Sequence, residues 1–193
     1  GGAPKFPRPS VLSFLLRYYA AEREPAALEM VLVTLREMAK GGMNDQLGGG
    51  FHRYSVDEHW FVPHFEKMLY DSAQLVPTYA RASLLFENPA YARVARHTLA
   101  FFMREMRSPD GAYYSSLDAD SDGAEGKFYV WSKKEINQIL GKDSDVFCLY
   151  YDVTDGGNFE GHTILNNSIA ASAVAFHSGM TEDNVKSLLV ESS

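Results

Sequence analysis

The residues best suited to chemistry lie in one short stretch, which contains His64, Glu66, Lys67 and Tyr70. The apolar spacing of residues 64–86 predicts a helix that begins here. A histidine in the first helical turn meets the positive end of the helix dipole, which favours its neutral form. A neutral imidazole can remove a proton from a sugar carbon next to a carbonyl, while Glu66 and Lys67 orient the ring or bind hydroxyls, with Tyr70 as a further contact. The alternative is that His64 caps the helix and the charged neighbours are solvated.

A second group precedes it and contains His52, Arg53, Tyr54, Asp57 and Trp60. A sugar presents a flat apolar face, on which Trp60 or Tyr54 could stack, and a rim of hydroxyls. His52, Arg53 and Asp57 have the donors and acceptors that such hydroxyls need. The alternative is structural: the aromatic rings pack the loop onto its scaffold, and Arg53 and Asp57 form an ion pair.

The densest acidic segment is residues 118–126, with Asp118, Asp120 and Glu125. Its D-x-D-x-D-G beginning is that of an EF-hand, but the twelfth position is Tyr129 rather than glutamate, so we reject an EF-hand and keep another cation site only as an alternative. Two of the carboxylates could act as acid and base on a glycosidic bond, or bind hydroxyls. The structural alternative is a turn in which aspartates accept backbone N–H groups.

Composition excludes several classes of function. The formal net charge of -7 argues against a surface for nucleic acid or for an anionic membrane. No apolar run approaches the roughly 20 residues of a membrane span. The single cysteine, Cys148, has apolar neighbours and is predicted to be a buried thiol. That prediction fits a reducing compartment and favours a cytoplasmic location.

Helical periodicity dominates the elements that must position these residues. Helices are predicted at residues 9–22, 25–40, 64–86, 89–107 and 132–140, and further segments near 143–151, 167–177 and 181–190. Pro77 should kink or interrupt the third helix. Three connections are long, at residues 41–63, 108–131 and 152–166. Because alternate loops of an up-and-down helical array lie at opposite ends, these three should gather on one face, where function is expected.

Two of the long loops resemble each other. Residues 50–57 and 111–118 share a glycine, a serine, an aliphatic residue and an aspartate at the same offsets, 61 residues apart, and residues 155–159 form a weaker third copy. A repeat of this period predicts stacked helical hairpins that share one core. The glycine-flanked loop stretches favour short β-strands.

Three stretches also carry a family-specific pattern, namely GGAPKFPRPSVL at 1–12, GGGFHRYSVDEHWFVPHFEKMLYDSAQL at 48–75 and SLDADSDGAEGKFYVWSKKEI at 116–136. They resemble the YyaL-like family, known in animals as the spermatogenesis-associated protein 20 family. The resemblance implies a mainly α fold, a six-hairpin (α/α)6 toroid similar to N-acylglucosamine 2-epimerases and six-hairpin glycosidases. It implies a fold more than an activity.

Family members are longer, with a thioredoxin-like domain before this region and more helices after it. The resemblance therefore implies that residues 1–193 form a single domain, about the first half of a toroid, and that residues 167–193 are a divergent or truncated tail. The thioredoxin-like domain is the implied partner. A half toroid would expose apolar helix faces at its open edge, so we expect self-association.

Two functions remain open. In the first, the domain processes a sugar or short glycan, by epimerase-like proton transfer at His64 or by glycosidase-like hydrolysis through carboxylates. Residues from the rest of the toroid would be needed, so a fragment would be inactive. In the second, the domain is a non-catalytic binding or scaffold module beside the thioredoxin-like domain. The sequence predicts no metal ligand set and no cofactor.

Overall fold

A computed structural model describes residues 2–167 and 169–192 and is mainly helical. The α-helices are α1 (Pro9–Glu22), α2 (Pro25–Lys40), α3 (Leu69–Leu85), α4 (Pro89–Phe101), α5 (Lys133–Leu140), α6 (Ser144–Tyr150), α7 (Ala171–Ser178) and α8 (Glu182–Glu191). A π-helical turn, Phe102–Met106, follows α4, and a 3-10 turn, Gly141–Asp143, follows α5. The strands are β1 (Tyr54–Ser55), β2 (Pro63–His64), β3 (Lys67–Met68), β4 (Ser116–Leu117), β5 (Asp120–Ser121), β6 (Ala124–Glu125), β7 (Val130–Trp131) and β8 (Thr163–Ile164).

Several helices begin at the predicted residues, where a proline or a capping side chain favours the start of a helix. Pro25 and Pro89 occupy first-turn positions, where a missing N–H leaves no bond unmade. Asn88 caps α4 by accepting a hydrogen bond from the Ala90 N–H. Ser132 and Glu135 form both bonds of the capping box that opens α5, within the helix predicted for residues 132–140. The mainly α fold with short β segments in the long loops is therefore confirmed.

The helices pack as hairpins around two apolar clusters. Helices α1 to α4 enclose the first, in which the Phe51 ring stacks on Tyr79 at 5.3 Å between centroids. The Tyr79 hydroxyl is buried there and donates to the Leu35 carbonyl oxygen at 2.8 Å. Helices α5 to α8 enclose the second, where Val174 and Val185 are fully buried. Residues 171–191 are thus packed against the second cluster.

Strand pairing brings the three long loops together. β1 pairs with β2, β3 with β4, β5 with β6 and β7 with β8, all antiparallel. The β3–β4 pair joins the first loop to the second, and the β7–β8 pair joins the second to the third. The prediction that these loops share one face is confirmed.

Two helix predictions were wrong in part. The helix predicted for residues 64–86 begins at Leu69, because residues 64 and 67–68 are extended and paired with other strands. Pro77 does not interrupt α3, which continues to Leu85, and beside it the Thr78 hydroxyl donates to the Gln74 carbonyl oxygen at 2.7 Å. The helix predicted for residues 89–107 is α-helical only to Phe101 and continues as the π-helical turn.

The state of the single cysteine and the character of the helices agree with what the amino-acid composition indicated. Cys148 is a buried free thiol, as predicted. None of the helices within residues 2–167 and 169–192 has the length and apolarity to cross a membrane.

Exposed apolar side chains do occur on several helices, including Leu84 at 83% and Phe176 at 86% exposed. Self-association through such a surface stays a prediction.

Candidate functional site

His64 is the centre of a half-exposed polar cluster at the loop face. Its Nδ1 lies 2.6 Å from Glu125 Oε1, and its Nε2 lies 3.6 Å from Glu66 Oε2. The same Glu125 oxygen accepts the Phe65 backbone N–H at 3.4 Å. The side chains of His64, Glu66 and Glu125 are 26%, 23% and 48% exposed, so a ligand in solution can reach all three. We call these residues, with Arg53, the His64 cluster.

The prediction that a helix dipole keeps His64 neutral is wrong. His64 belongs to β2 and not to the first turn of a helix, so no helix dipole acts on it. Its cross-strand partner is Tyr54, whose ring stacks on the imidazole at 4.8 Å between centroids with 20° between planes. The ring is therefore positioned by strand pairing and stacking, with the carboxylates of Glu66 and Glu125 beside its two nitrogens.

Arg53 is tied to Glu66 twice. Its Nη1 donates to Glu66 Oε2 at 2.7 Å, and its backbone N–H donates to the Glu66 carbonyl oxygen at 2.8 Å. The hydrogen bonds to Glu66 and then to Tyr70 raise the pKa of the guanidinium above its ordinary value. Tyr70 itself is half exposed. The ion pair considered between Arg53 and Asp57 is not formed, because Asp57 accepts backbone N–H groups of its own turn.

Asp71 lies beneath this cluster at the start of α3 and was not among the predicted site residues. Burial raises its pKa from 3.8 to about 6, and the Arg53 charge opposes that rise. Its position in the HFEKMLYD segment was the available signal, but a carboxylate in a first helical turn is ordinarily a capping residue.

The acidic segment contributes one member to the cluster. Glu125 reaches His64, whereas Asp118 and Asp120 are exposed. Asp118 Oδ1 accepts the Asp120 N–H at 3.2 Å, which is the turn role considered as the structural alternative. Asp120 pairs with Glu125 across the β5–β6 hairpin through the backbone. Catalytic or binding roles for these two aspartates stay predictions.

Two residues predicted to bind substrate are buried, which corrects those predictions. Lys67 is fully buried, and its Nζ donates to Asp45 Oδ2 at 2.7 Å and to the Gly49 carbonyl oxygen at 2.8 Å. Trp60 is 6% exposed within the first apolar cluster. In the described part of the chain neither side chain lines a cavity that a ligand could enter from this face, and the Lys67 ammonium is already bonded to protein oxygens, so the structure gives both residues packing roles.

His52 is also buried, but it lines a cavity. The cavity has a volume of about 690 Å³. Most of its lining comes from residues 42–52, the β5–β7 region and the residues around β8, and Phe65, Arg104, Glu135 and Ser192 complete it. His52 Nδ1 lies 2.9 Å from the Phe65 carbonyl oxygen. Burial, and then the nearby Lys67 charge, lower the pKa of His52 from 6.5 to about 3, so the ring is neutral. His64 is not among the residues that line this cavity.

Sequence reasoning missed two residues of that cavity, Asp45 and Tyr129. Burial raises the pKa of the Asp45 carboxyl, but the charge and the hydrogen bond of Lys67 outweigh burial and hold this pKa below its ordinary value. The Tyr129 ring lies 4.8 Å from Lys67 Nζ and stacks on Phe65. An aspartate in a glycine-rich loop gave no distinctive signal. Within residues 2–167 and 169–192, no three His, Cys, Asp or Glu side chains are grouped as metal ligands.

Comparison with known proteins identifies relatives in animals. The chain is 36% identical to human "Spermatogenesis-associated protein 20" over 97% of the chain and 28% of that protein. It is 45% identical to the mouse protein of that name over 72% of the chain and 19% of that protein. It is 40% identical to an uncharacterised Caenorhabditis elegans protein over 82% of the chain and 24% of that protein. The chain thus spans less than a third of these relatives.

A solved structure gives a weaker likeness. A family 76 glycoside hydrolase from a bovine Bacteroides thetaiotaomicron strain superposes with a TM-score of 0.49 and 15% sequence identity, over 94% of the chain and 33% of the hydrolase. No protein-family model matches the sequence.

Proposed function

The chain belongs to the spermatogenesis-associated protein 20 family, and we propose that its loop face carries a sugar-processing site in which His64 is the acid–base group. One observation carries the proposal: His64 Nδ1 lies 2.6 Å from Glu125 Oε1 in a cluster that solvent can reach. A neutral imidazole that donates Nδ1–H to a carboxylate has its lone pair on Nε2. Glu125 then orients the ring and stabilises the imidazolium that forms when Nε2 accepts a proton.

The reaction is epimerase-like or isomerase-like proton transfer at a carbon next to a carbonyl. The C–H bond of the open-chain sugar breaks, its electron pair becomes the C=C bond of an enediolate, and the proton goes to His64 Nε2. The carbonyl oxygen takes the negative charge, and Arg53 and Tyr70 supply donors beside the site. Return of a proton to the same carbon restores the carbonyl, with inversion when it arrives on the opposite face.

Isotope exchange tests this proposal directly. This chain and the full-length human relative are each incubated in deuterated water with glucose, mannose, N-acetylglucosamine and N-acetylmannosamine. Loss of the C2–H signal is followed by proton NMR. We expect exchange to fall at least about 100-fold in His64→Gln, the usual scale for removing a general base, and less in Glu125→Gln. His59→Gln is the matched control, because His59 is an exposed loop histidine outside the cluster.

A non-catalytic role for the same face is the second candidate. It is favoured by the absence of His64 from the lining of the 690 Å³ cavity. It is also favoured by the ion pair between Arg53 and Glu66, in which each charge already has a partner within the protein. In that case the face binds a glycan or the thioredoxin-like domain of the full-length family protein. No exchange with any of the four sugars, in folded samples of both proteins, would overturn the catalytic proposal and favour this one.

A further inference from the structure

The cavity beside His52 is a separate concave site. Its walls combine aromatic and polar side chains, and the aromatic ones are Phe65, Phe128, Tyr129 and Trp131. A volume of about 690 Å³ is in the range of small-molecule pockets, which hold a ligand by apolar walls and a few convergent polar atoms. The polar atoms that remain free in this cavity therefore indicate what it could bind.

His52 offers one hydrogen-bond acceptor. Because the Phe65 carbonyl oxygen only accepts, the 2.9 Å contact requires a proton on His52 Nδ1. In a neutral ring that tautomer places the lone pair on Nε2. No hydrogen bond to this Nε2 is present within residues 2–167 and 169–192. The ring cannot turn away, since Phe65 and Tyr129 contact it edge-on at 5.2 and 4.8 Å between centroids.

Tyr129 offers a donor beside that acceptor. Its ring stacks on Phe65 at 5.7 Å with 8° between planes, and its hydroxyl has no hydrogen-bond partner in the described parts of the chain. Burial raises the pKa of this hydroxyl, which therefore remains protonated. The two rings line the same cavity with their centroids 4.8 Å apart. Such an acceptor and donor match one hydroxyl group, because a hydroxyl can donate to the first and accept from the second.

Most of the charges around the cavity are paired within the protein. Asp45 pairs with Lys67 at 2.7 Å, Asp122 pairs with Lys127 at 3.1 Å, and Glu135 is occupied by the capping box of α5. Arg104 donates to the Gly48 carbonyl oxygen at 2.8 Å and to Glu105. Among the described residues that line the cavity, no cation is left unpaired for an anion, and the one carboxylate without a cationic partner, Glu135, is hydrogen-bonded to Ser132, so a neutral ligand fits best.

We propose that this cavity binds a neutral polyhydroxylated ring, with one hydroxyl donating to His52 Nε2 and accepting from the Tyr129 hydroxyl. The apolar face of the ring lies against the aromatic wall. The site is independent of the His64 cluster, since it requires no proton transfer, so it can be present even if the proposed reaction is not.

Histidine-ring NMR tests the proposal. The protein, labelled with 15N in its histidines, is titrated with the methyl glycosides of glucose, galactose, mannose and N-acetylglucosamine, and with myo-inositol. These probes have no free carbonyl and cannot undergo the proposed reaction. We expect at least one of them to move the His52 Nε2 resonance at saturation and to leave that of His59 unchanged. Methyl glucoside 6-phosphate should bind no more tightly than methyl glucoside.

Matched variants test whether the Tyr129 hydroxyl and the His52 ring are responsible for binding. Tyr129→Phe removes the donor and keeps the ring stacked, and His52→Asn keeps a donor for the Phe65 carbonyl oxygen but removes the acceptor at Nε2. Each should weaken binding about tenfold, the scale of one lost hydrogen bond in a desolvated site. Tyr114→Phe, at an exposed tyrosine outside the cavity, should change nothing. No His52 shift with any probe, or unchanged affinity in folded Tyr129→Phe, would overturn the assignment.

Discussion

Acid should destabilise the folded protein through His52, because this imidazole is buried neutral. Burial and the Lys67 charge lower its pKa from 6.5 to about 3 in the fold. Below pH 6.5 the unfolded chain therefore binds a proton at this residue that the folded chain does not bind. The stability that His52 contributes is fully present above its unfolded pKa and is lost as pH falls from 6.5 towards about 3.

The unfolded and folded pKa values of His52 determine how much stability is lost on acidification. Between pH 7 and pH 5 the loss amounts to about 2 kcal/mol, since each pH unit between the two pKa values costs about 1.4 kcal/mol. Asp71 acts in the opposite direction. Its pKa is raised by burial to about 6, so the folded state binds the extra proton, and acidification towards pH 4 relieves the cost of an ionised buried carboxyl. The wild-type profile alone would therefore understate the His52 contribution.

A difference measurement isolates His52. The free energy of unfolding is measured by urea denaturation, followed by circular dichroism, for wild type and His52→Asn at pH 5, 6 and 7. The asparagine keeps a donor for the Phe65 carbonyl oxygen and cannot titrate, while the Asp71 contribution cancels. We expect the stability advantage of wild type to shrink by about 2 kcal/mol from pH 7 to pH 5. A pH-independent difference, or an NMR titration of folded His52 near 6.5, would refute the reasoning.

Two further substitutions test the packing beneath the loop face. Lys67→Met should lower the free energy of unfolding by about 3–5 kcal/mol, because it leaves the buried Asp45 carboxylate without its ion-pair partner. In urea denaturation the double variant Lys67→Met/Asp45→Asn should lose less stability than the sum of the two single variants. Additivity would show that the pair does not couple. Gly126→Ala should cost about 1–3 kcal/mol more than Gly123→Ala, because both glycines have positive φ, +74° and +76°, but only at Gly126 would a Cβ collide with Phe65. Equal thermal shifts would contradict this.

Helix boundaries with a local cause were predictable from the sequence. α1, α2 and α5 lie where apolar periodicity predicted helices, and a first-turn proline or a capping box marks where each begins. These signals act within one or two turns, so a single sequence contains them. The helical assignment of residues 64–68 failed for the opposite reason. His64 pairs with Tyr54 in the preceding strand, but the partner of Lys67–Met68, Ser116–Leu117, lies about fifty residues further on. The spacing of Phe65 and Leu69 also fits a helix.

The sequence allowed several residues of the candidate site to be selected, but it did not show which of them contact one another. His64 and Glu125 were both selected from the sequence, but their contact depends on how the first two loops pair. Lys67 was expected at the surface because lysine is almost never fully buried without a partner. The partner, Asp45, lies in a glycine-rich loop that gives no sign of an ion pair. Tertiary pairing therefore decided which selected residues reach solvent.

One extended segment separates the two proposed sites. Along residues 64–67 successive side chains point to opposite faces, so His64 and Glu66 are partly exposed while Phe65 and Lys67 are buried. Phe65 then joins the two sides, because its carbonyl oxygen holds His52 and its N–H is held by Glu125. A helix beginning at His64 would not separate these side chains by strict alternation. The strand conformation that the sequence failed to predict is therefore the feature on which both proposals depend.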